Sequence, residues 1–354
     1  MTPRRQLDES DVRVRPNPRG SRPRTKERPR HEDAVAGWVL TVDRGRYTCL
    51  VDGPGGEHEV VAMKARDLGK AGVVVGDRVA LVGDLSGGPD ALARVVRVER
   101  RATMLRRSAD DTDPIERPLV ANADRLAIVT ALAEPEPRAR MVDRCLVAAF
   151  DAGLQALLVL TKADLRDAGP FLSAYAPLDV PYVVTRRSPS GIEGLDEVRE
   201  RLEGSVTVLV GHSGVGKSTL VNALVPGASR TTGVVNDVTG RGRHTSTSAL
   251  ALRLPGSGGG WVVDTPGIRS FGLAHVVPDR IVASFPDLAA GTAECPRGCS
   301  HDEPECGLDA FAAAGGAGAA GVARLESLRR LLRSRAGGVA DAHEDPPDGV
   351  EALG

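Results

Sequence analysis

Residues Gly211 to Thr219 read GHSGVGKST and follow the apolar run Val206-Thr207-Val208-Leu209-Val210. This is G-x-x-x-x-G-K-[ST] placed between a β-branched strand and a segment, Thr219 to Leu224, that opens as a helix. A strand, a tight loop and a helix in immediate succession restrict the fold to an α/β sheet with its loop at one edge. Gly211, Gly214 and Gly216 let the backbone curl, so that the N–H groups from Gly211 through His212, Ser213, Val215 and Thr219 surround a phosphate. The helix N-terminus adds a partial positive charge. Lys217 then reaches β- and γ-phosphates, and the Ser218 hydroxyl binds Mg²⁺. A glycine loop that merely turns the chain needs none of these neighbours. The stretch is therefore a nucleoside triphosphate site.

Two further motifs refine it. WVVDTPG, residues 261–267, ends an apolar strand in a carboxylate at the edge where the phosphate loop lies. There Asp264 can hold Mg²⁺ through water, and the Gly267 N–H can meet a γ-phosphate. Thr161-Lys162-Ala163-Asp164 follows the strand ALLVL and matches [NT]-K-x-D, the guanine-reading motif of GTPases. Its aspartate accepts hydrogen bonds from N1 and the exocyclic amino group of guanine, which adenine cannot supply, while the lysine stem lies along the base. A site built on such pairing rejects the analogue by roughly 10⁴-fold. Thr161 stands where asparagine is usual and has fewer donors, so guanine is expected to be held less firmly.

The order of the motifs is unusual. A GTPase ordinarily runs phosphate loop, switch I, D-x-x-G and then [NT]-K-x-D. Here the guanine motif at 161–164 precedes the phosphate loop at 211–218, and no second copy of either is present. One G domain whose chain is circularly permuted accounts for this. Strands at 126–132, 156–162, 181–185, 206–210, 249–254 and 261–267, with helices over 138–153 and 192–203, predict a doubly wound parallel sheet.

Ahead of it, Ala34 to Arg101 alternates short apolar strands with Gly/Asp turns, the pattern of a small closed barrel. The OB-fold is the leading candidate and an SH3-like barrel the other. Trp38 and Tyr47 are read as core rather than as stacking platforms. Residues 1–33 are basic, proline-rich and without periodicity. They are expected to be a disordered arm, either solubilising or in contact with RNA phosphates. Residues 102–117 read as a charged linker, 118–275 as the GTPase domain, 276–336 as a C-terminal module and 337–354 as a disordered tail. No apolar run approaches the ~20 residues of a membrane span, and no secretory signal is present, so the expected compartment is the cytoplasm.

Three of the five cysteines are clustered: Cys295, Cys299 and Cys306 with His301 form C-x3-C-x-H-x4-C. Thiolates and an imidazole suit tetrahedral Zn²⁺, and four protein ligands leave no open position, so the site reads as structural. Cys49 and Cys145 lie in apolar runs and are expected in cores. Leu325, Leu328, Leu331 and Leu332 share one helical face that packs on this module or on the G domain.

This arrangement resembles the ribosome small-subunit-dependent GTPase A family, the circularly permuted RsgA/YjeQ type. The resemblance runs from about Ala34 to Arg335 and is carried by VANADRLAIV, TKADL, GHSGVGKSTL, GRGRHTST, DTPGIRSFGL and CPRGCSHDEPEC. It implies that switch I spans Thr232 to Thr247. Thr245 is then the Mg²⁺ and γ-phosphate ligand, with Thr247 as the substitute. Ile268 stands where many GTPases place a water-orienting glutamine, and His244 is the expected replacement. The resemblance also implies a monomeric GTPase, slow alone, that binds GTP and GDP and acts with the 30S subunit and 16S rRNA in late maturation. Two other classes are weighed: a nucleotide-gated RNA-binding module, and a metal-delivery GTPase suggested by the Cys/His cluster.

Overall fold

A computed structural model describes residues 31–68, 72–107, 117–227, 249–265, 273 and 275–335. The N-terminal arm up to residue 30, switch I and the C-terminal tail lie outside the described residues. The first five strands are β1 (Val35–Asp43), β2 (Arg46–Gly53), β3 (Gly56–Lys64), β4 (Arg78–Gly83) and β5 (Ala93–Val98). Their order is β1-β2-β3-β5-β4, and β4 closes back on β1. All neighbours are antiparallel except β3 and β5, which run parallel. A meander cannot produce that parallel pair, so the Greek-key connectivity of an OB-fold replaces the SH3-like alternative. Alternation puts Val39, Cys49, Val51, Val60, Ala62, Leu81 and Val95 inside. Tyr47 is buried, as expected of a core residue, and burial pushes the Cys49 thiol up to about 12.

The stretch read as a charged linker is partly ordered. β6 (Met104–Arg107) and β7 (Arg117–Ala121) pair antiparallel. Leu105 and Val120 are the reason: one apolar side chain from each strand, both almost fully buried. Val75 bridges to Val120, and a Cβ at Gly76 would lie 2.0 Å from the Ala121 carbonyl, so only glycine fits there. The buried Asp77 carboxylate ties this segment down by accepting from Arg101 Nε at 2.7 Å and from the Val74 N–H at 2.8 Å.

The second half is built on β8 (Arg125–Ala131), β9 (Gln155–Thr161), β10 (Tyr182–Val184), a small ribbon of β11 (Arg186–Ser188) and β12 (Gly191–Glu193), then β13 (Val206–Val210), β14 (Leu250–Arg253) and β15 (Trp261–Asp264). The sheet order is β10-β9-β8-β13-β15-β14, parallel throughout except for β14. Helices α1 (Ala139–Ala152), α2 (Gly169–Tyr175), α3 (Leu195–Leu202) and α4 (Lys217–Leu224) cover it. α1 ends at Gly153, φ +68°, with the Leu154 N–H returning to the Ala149 carbonyl, a left-handed cap that glycine adopts without strain.

The C-terminal elements are α5 (Pro278–Ala283), α6 (Pro286–Ala289), α7 (Gly307–Ala313) and α8 (Gly321–Arg335). Leu325, Leu328, Leu331 and Leu332 of α8 are buried in the main core, which they share with Val142, Cys145 and Leu146 of α1 and Leu308 of α7. α8 thus packs on both the G domain and the metal module. Arg330 of α8 reaches Asp143 of α1 at 3.1 Å and lies over the Tyr175 ring. Burial outweighs the arginine and lifts the Asp143 carboxyl to about 6. Between about pH 4 and 6 the unfolded chain releases that proton while the folded chain keeps it. The contribution of Asp143 to stability therefore falls as pH rises through this window, by about 3 kcal/mol, and is constant above it. Urea midpoints at pH 4.5 and 6.5 are expected to show this slope in the wild type and its loss in Asp143→Asn.

Candidate functional site

The phosphate loop leaves β13 at the carboxyl edge of the sheet, where ligands bind in open α/β folds. A Cβ at Gly211 would lie 2.6 Å from the Val129 carbonyl, so the loop can pass this close to β8 only without a side chain. Gly214 and Gly216 have φ +83° and +90°. α4 begins at Lys217, so the helix N-terminus points into the loop as its sequence context demands. Lys217 is buried, and its Nζ donates to Asp264 Oδ1 and, at 2.6 Å, to the Thr265 carbonyl. Asp264 is 1% exposed at the end of β15. Thr265 was not singled out by motif reading, yet it anchors this corner, its hydroxyl donating to the Leu209 carbonyl at 2.7 Å. Beside the loop lies a shallow cleft lined by Thr130, Pro135, Glu136, Arg138, His212 and Val215.

The guanine motif reaches this loop from two strands away. Thr161, buried at the end of β9, donates its hydroxyl to the Val215 carbonyl at 2.6 Å. Its one donor is therefore directed at the phosphate loop. Lys162 takes φ +59° and donates through Nζ to the Glu134 carbonyl, while the Ala163 N–H donates to Thr185 at 3.1 Å. Asp164 is exposed, and its Oδ1 accepts from the Arg187 N–H at 3.0 Å. That bond is the main cause of a carboxyl held below its usual range, which keeps it an ionised acceptor. Arg187, Glu134 and Thr185 escaped sequence reading because they act through backbone atoms, on which side-chain motifs are silent. Ser218 and Thr219 lie in the first turn of α4. Gly267, His244, Thr245, Thr247 and Ile268 lie outside the described residues.

The Cys/His cluster comes together as its spacing implies. The ligand atoms of Cys295, Cys299, His301 and Cys306 all lie within 4.8 Å of one another. Cys295 Sγ is 3.6 Å from His301 Nδ1 and 3.9 Å from Cys306 Sγ, and Cys306 Sγ is 3.9 Å from His301 Nδ1. Tetrahedral Zn²⁺ with bonds of about 2.3 Å to sulfur and about 2.0 Å to nitrogen needs edges of about 3.5–3.8 Å, which these three donors approach, and Cys299, within 4.8 Å, offers the fourth. His301 adopts φ +67°, and Arg329 of α8 holds its carbonyl at 2.8 Å while gripping both oxygens of Asp309. Desolvation is the leading cause pushing the Cys299 thiol up to about 12; a divalent cation reverses this by stabilising thiolate.

A phosphate loop after β13 and a guanine-type loop after β9, on one parallel edge but in inverted chain order, define a circularly permuted P-loop protein of the GTPase class. An OB-like barrel precedes it and a Cys3His module follows. The RsgA GTPase family matches residues 98–274, half of the chain. The Small ribosomal subunit biogenesis GTPase RsgA of Pseudomonas aeruginosa is 43% identical over 224 residues, 60% of this chain and 63% of the relative's length. That of Pseudomonas syringae pv. tomato is 38% identical over 270 residues, 72% of this chain and 76% of the relative. The crystal structure of YjeQ from Thermotoga maritima superposes with TM-score 0.59 at 26% identity, covering 86% of this chain and 99% of that one. YloQ, a circularly permuted GTPase, shares the fold with TM-score 0.58 at 22% identity over 87% of this chain and 97% of that one. The chain belongs to the RsgA GTPase family.

Two outcomes are expected from this geometry. Thr161→Val keeps the shape but leaves the Val215 carbonyl unpaired, and should weaken GDP affinity about 10-fold by calorimetry, while Thr161→Asn restores the donor and the affinity. Cys306→Ser should lose about one equivalent of Zn²⁺ per chain by elemental analysis and expose residues 295–306 to protease.

Proposed function

We propose that the chain is a Mg²⁺-dependent GTP hydrolase that assists late maturation of the 30S ribosomal subunit, acting as a cytoplasmic monomer. The observation that carries this reading is the bond from Thr161 to the Val215 carbonyl, which joins a guanine-type loop and a phosphate loop into one site. In this reading Asp164 reads the base, with the Lys162 stem along it, and the loop from Gly211 to Thr219 with Lys217 receives the phosphates. Ser218 and Thr245, with Thr247 as the alternative, hold Mg²⁺ directly, and Asp264 does so through water. The ion neutralises phosphate charge when bound. Gly267 offers its N–H to the γ-phosphate. Ile268 cannot orient water, and His244 takes that role. Catalysis of this kind is mainly positioning, so turnover is slow until a partner orders the loops.

The partner is taken from the relatives, whose names tie them to small-subunit biogenesis. The barrel exposes Arg46, Arg78, Arg94 and Arg100, and the arm before it is basic, which suits contact with 16S rRNA phosphates. No helix among the described residues is long and apolar enough to cross a membrane. The four-ligand set leaves no open position for an exchangeable ion, which favours a structural Zn²⁺ over metal delivery.

The test is steady-state turnover of GTP and ATP, each with 30S or 50S subunits. GTP should be preferred by roughly 10⁴-fold and stimulated by 30S alone; equal use of ATP, or indifference to 30S, overturns the reading. His244→Ala should abolish most of the stimulated rate, about 10²-fold or more, with nucleotide affinity retained. Binding to 30S should weaken steeply between low and high salt, as measured by co-sedimentation.

A further inference from the structure

The barrel meets the sheet of the G domain along β1, where Leu40 is buried in the G-domain core and Trp38 and Val42 pack against it. β1 and β14 share a single rung, Thr41 opposite Leu250. Leu250 also lies opposite Asp264 in β15, and Asp264 opposite Leu209 in β13. One lateral row of backbone therefore runs from the barrel wall, through β14, to the carboxylate that accepts from Lys217. Three side-chain contacts surround this row. Trp38 of β1 packs edge-on against Trp261 of β15 with ring centres 4.5 Å apart. Arg253 of β14 lies 4.8 Å over the Trp261 ring, and its guanidinium pairs with Glu57 of β3. Trp38 is held from the barrel side by its Nε1 donating to the Gly76 carbonyl at 3.0 Å.

β15 is only four residues long, so its two ends move together. Its first residue, Trp261, carries the barrel's grip, and its last, Asp264, stands in the phosphate site. At this end of β15 the barrel's hold is an aromatic edge and, through Arg253, which also lies over the Trp261 ring, an exposed ion pair, contacts that tolerate small shifts better than interdigitated side chains do. We propose that Trp261 and Arg253 are positioning residues for hydrolysis: through β15 they set where Asp264 stands according to how the barrel is seated. A partner that grips the barrel then acts on the phosphate site along this row. By linkage the effect is reciprocal, and the γ-phosphate state changes how the barrel sits. This rests on the hydrolase reading above.

The chain has two tryptophans, and both are in this junction, so emission excited selectively from tryptophan reports the junction alone. The experiment uses the full chain with Mg²⁺ and either GDP or a non-hydrolysable GTP analogue, binding of each being verified by calorimetry. Emission is expected to differ between the two bound states in the wild type and in Trp38→Phe. Glu57→Ala should cut 30S-stimulated GTP turnover about 3- to 10-fold, inside the range of measured coupling effects, while unstimulated turnover stays within about 2-fold. Arg253→Ala should cut the stimulated rate similarly, and the double variant should be no worse than either single one. Identical emission in the two bound states overturns the proposal, as does an equal loss in both rates, which marks a merely structural contact. A wild type that binds both nucleotides but hydrolyses neither overturns the hydrolase reading instead, and the emission difference still decides the coupling.

Discussion

The site depends on the parallel pairing of β8 with β13, where Arg125 to Ile128 lie opposite Thr207 to Val210. Only a parallel register sends the chain out of β9 and β13 at the same edge, so that Thr161 can reach the Val215 carbonyl. A slip of one residue would turn Val208 and Val210 out of their present neighbourhoods and carry the phosphate loop away from Val129, against which Gly211 is closely packed. Leu126, Ile128, Val208 and Val210 are almost fully buried, and each contributes roughly 1.5–3 kcal/mol to holding that register. Circular permutation costs the site nothing, because the sheet sees which strands are neighbours and not the order in which the chain supplies them.

The two flanking parts are attached by different physics. The metal module is fastened through α8, with four leucines in the shared core, Arg329 on the His301 carbonyl and Arg330 on Asp143. Adjacent arginines on one helix thus grip opposite partners. The barrel meets the G domain through one strand rung, an aromatic edge, the Arg253–Glu57 pair and the buried Leu40 and Val75. An exposed ion pair contributes about 0–1 kcal/mol and a cation over a ring about 0.5–1, far less than the leucine seam. The metal module thus has the larger apolar seam, and the barrel combines fewer buried side chains with polar and aromatic contacts.

Much of the site was legible because its chemistry needs particular residue types at fixed spacing. The phosphate loop, Asp264, the guanine motif and the Cys3His cluster each combine backbone geometry with a side chain that nothing else replaces. The strands around them were legible as β-branched runs. The pairing of β6 with β7 was not, since Met104-Leu105 and Leu119-Val120 are short apolar pairs, too brief to carry a period. Thr161 shows a different limit. Its identity suggested a weaker hold on guanine, whereas its hydroxyl is directed at the phosphate loop, a use that depends on a carbonyl far away in the chain.

The sequence by itself determined the phosphate loop, the inverted order of the motifs, the Cys3His cluster and the barrel's strand-and-turn pattern, because these follow from local conformation and from chemistry at short spacing. Only the tertiary structure decided the barrel's closure through parallel β3 and β5, the double attachment of α8, and the row from Thr41 through Leu250 to Asp264. These rest on contacts between residues distant in the chain, where burial and strand register choose the partner and no local pattern records the choice.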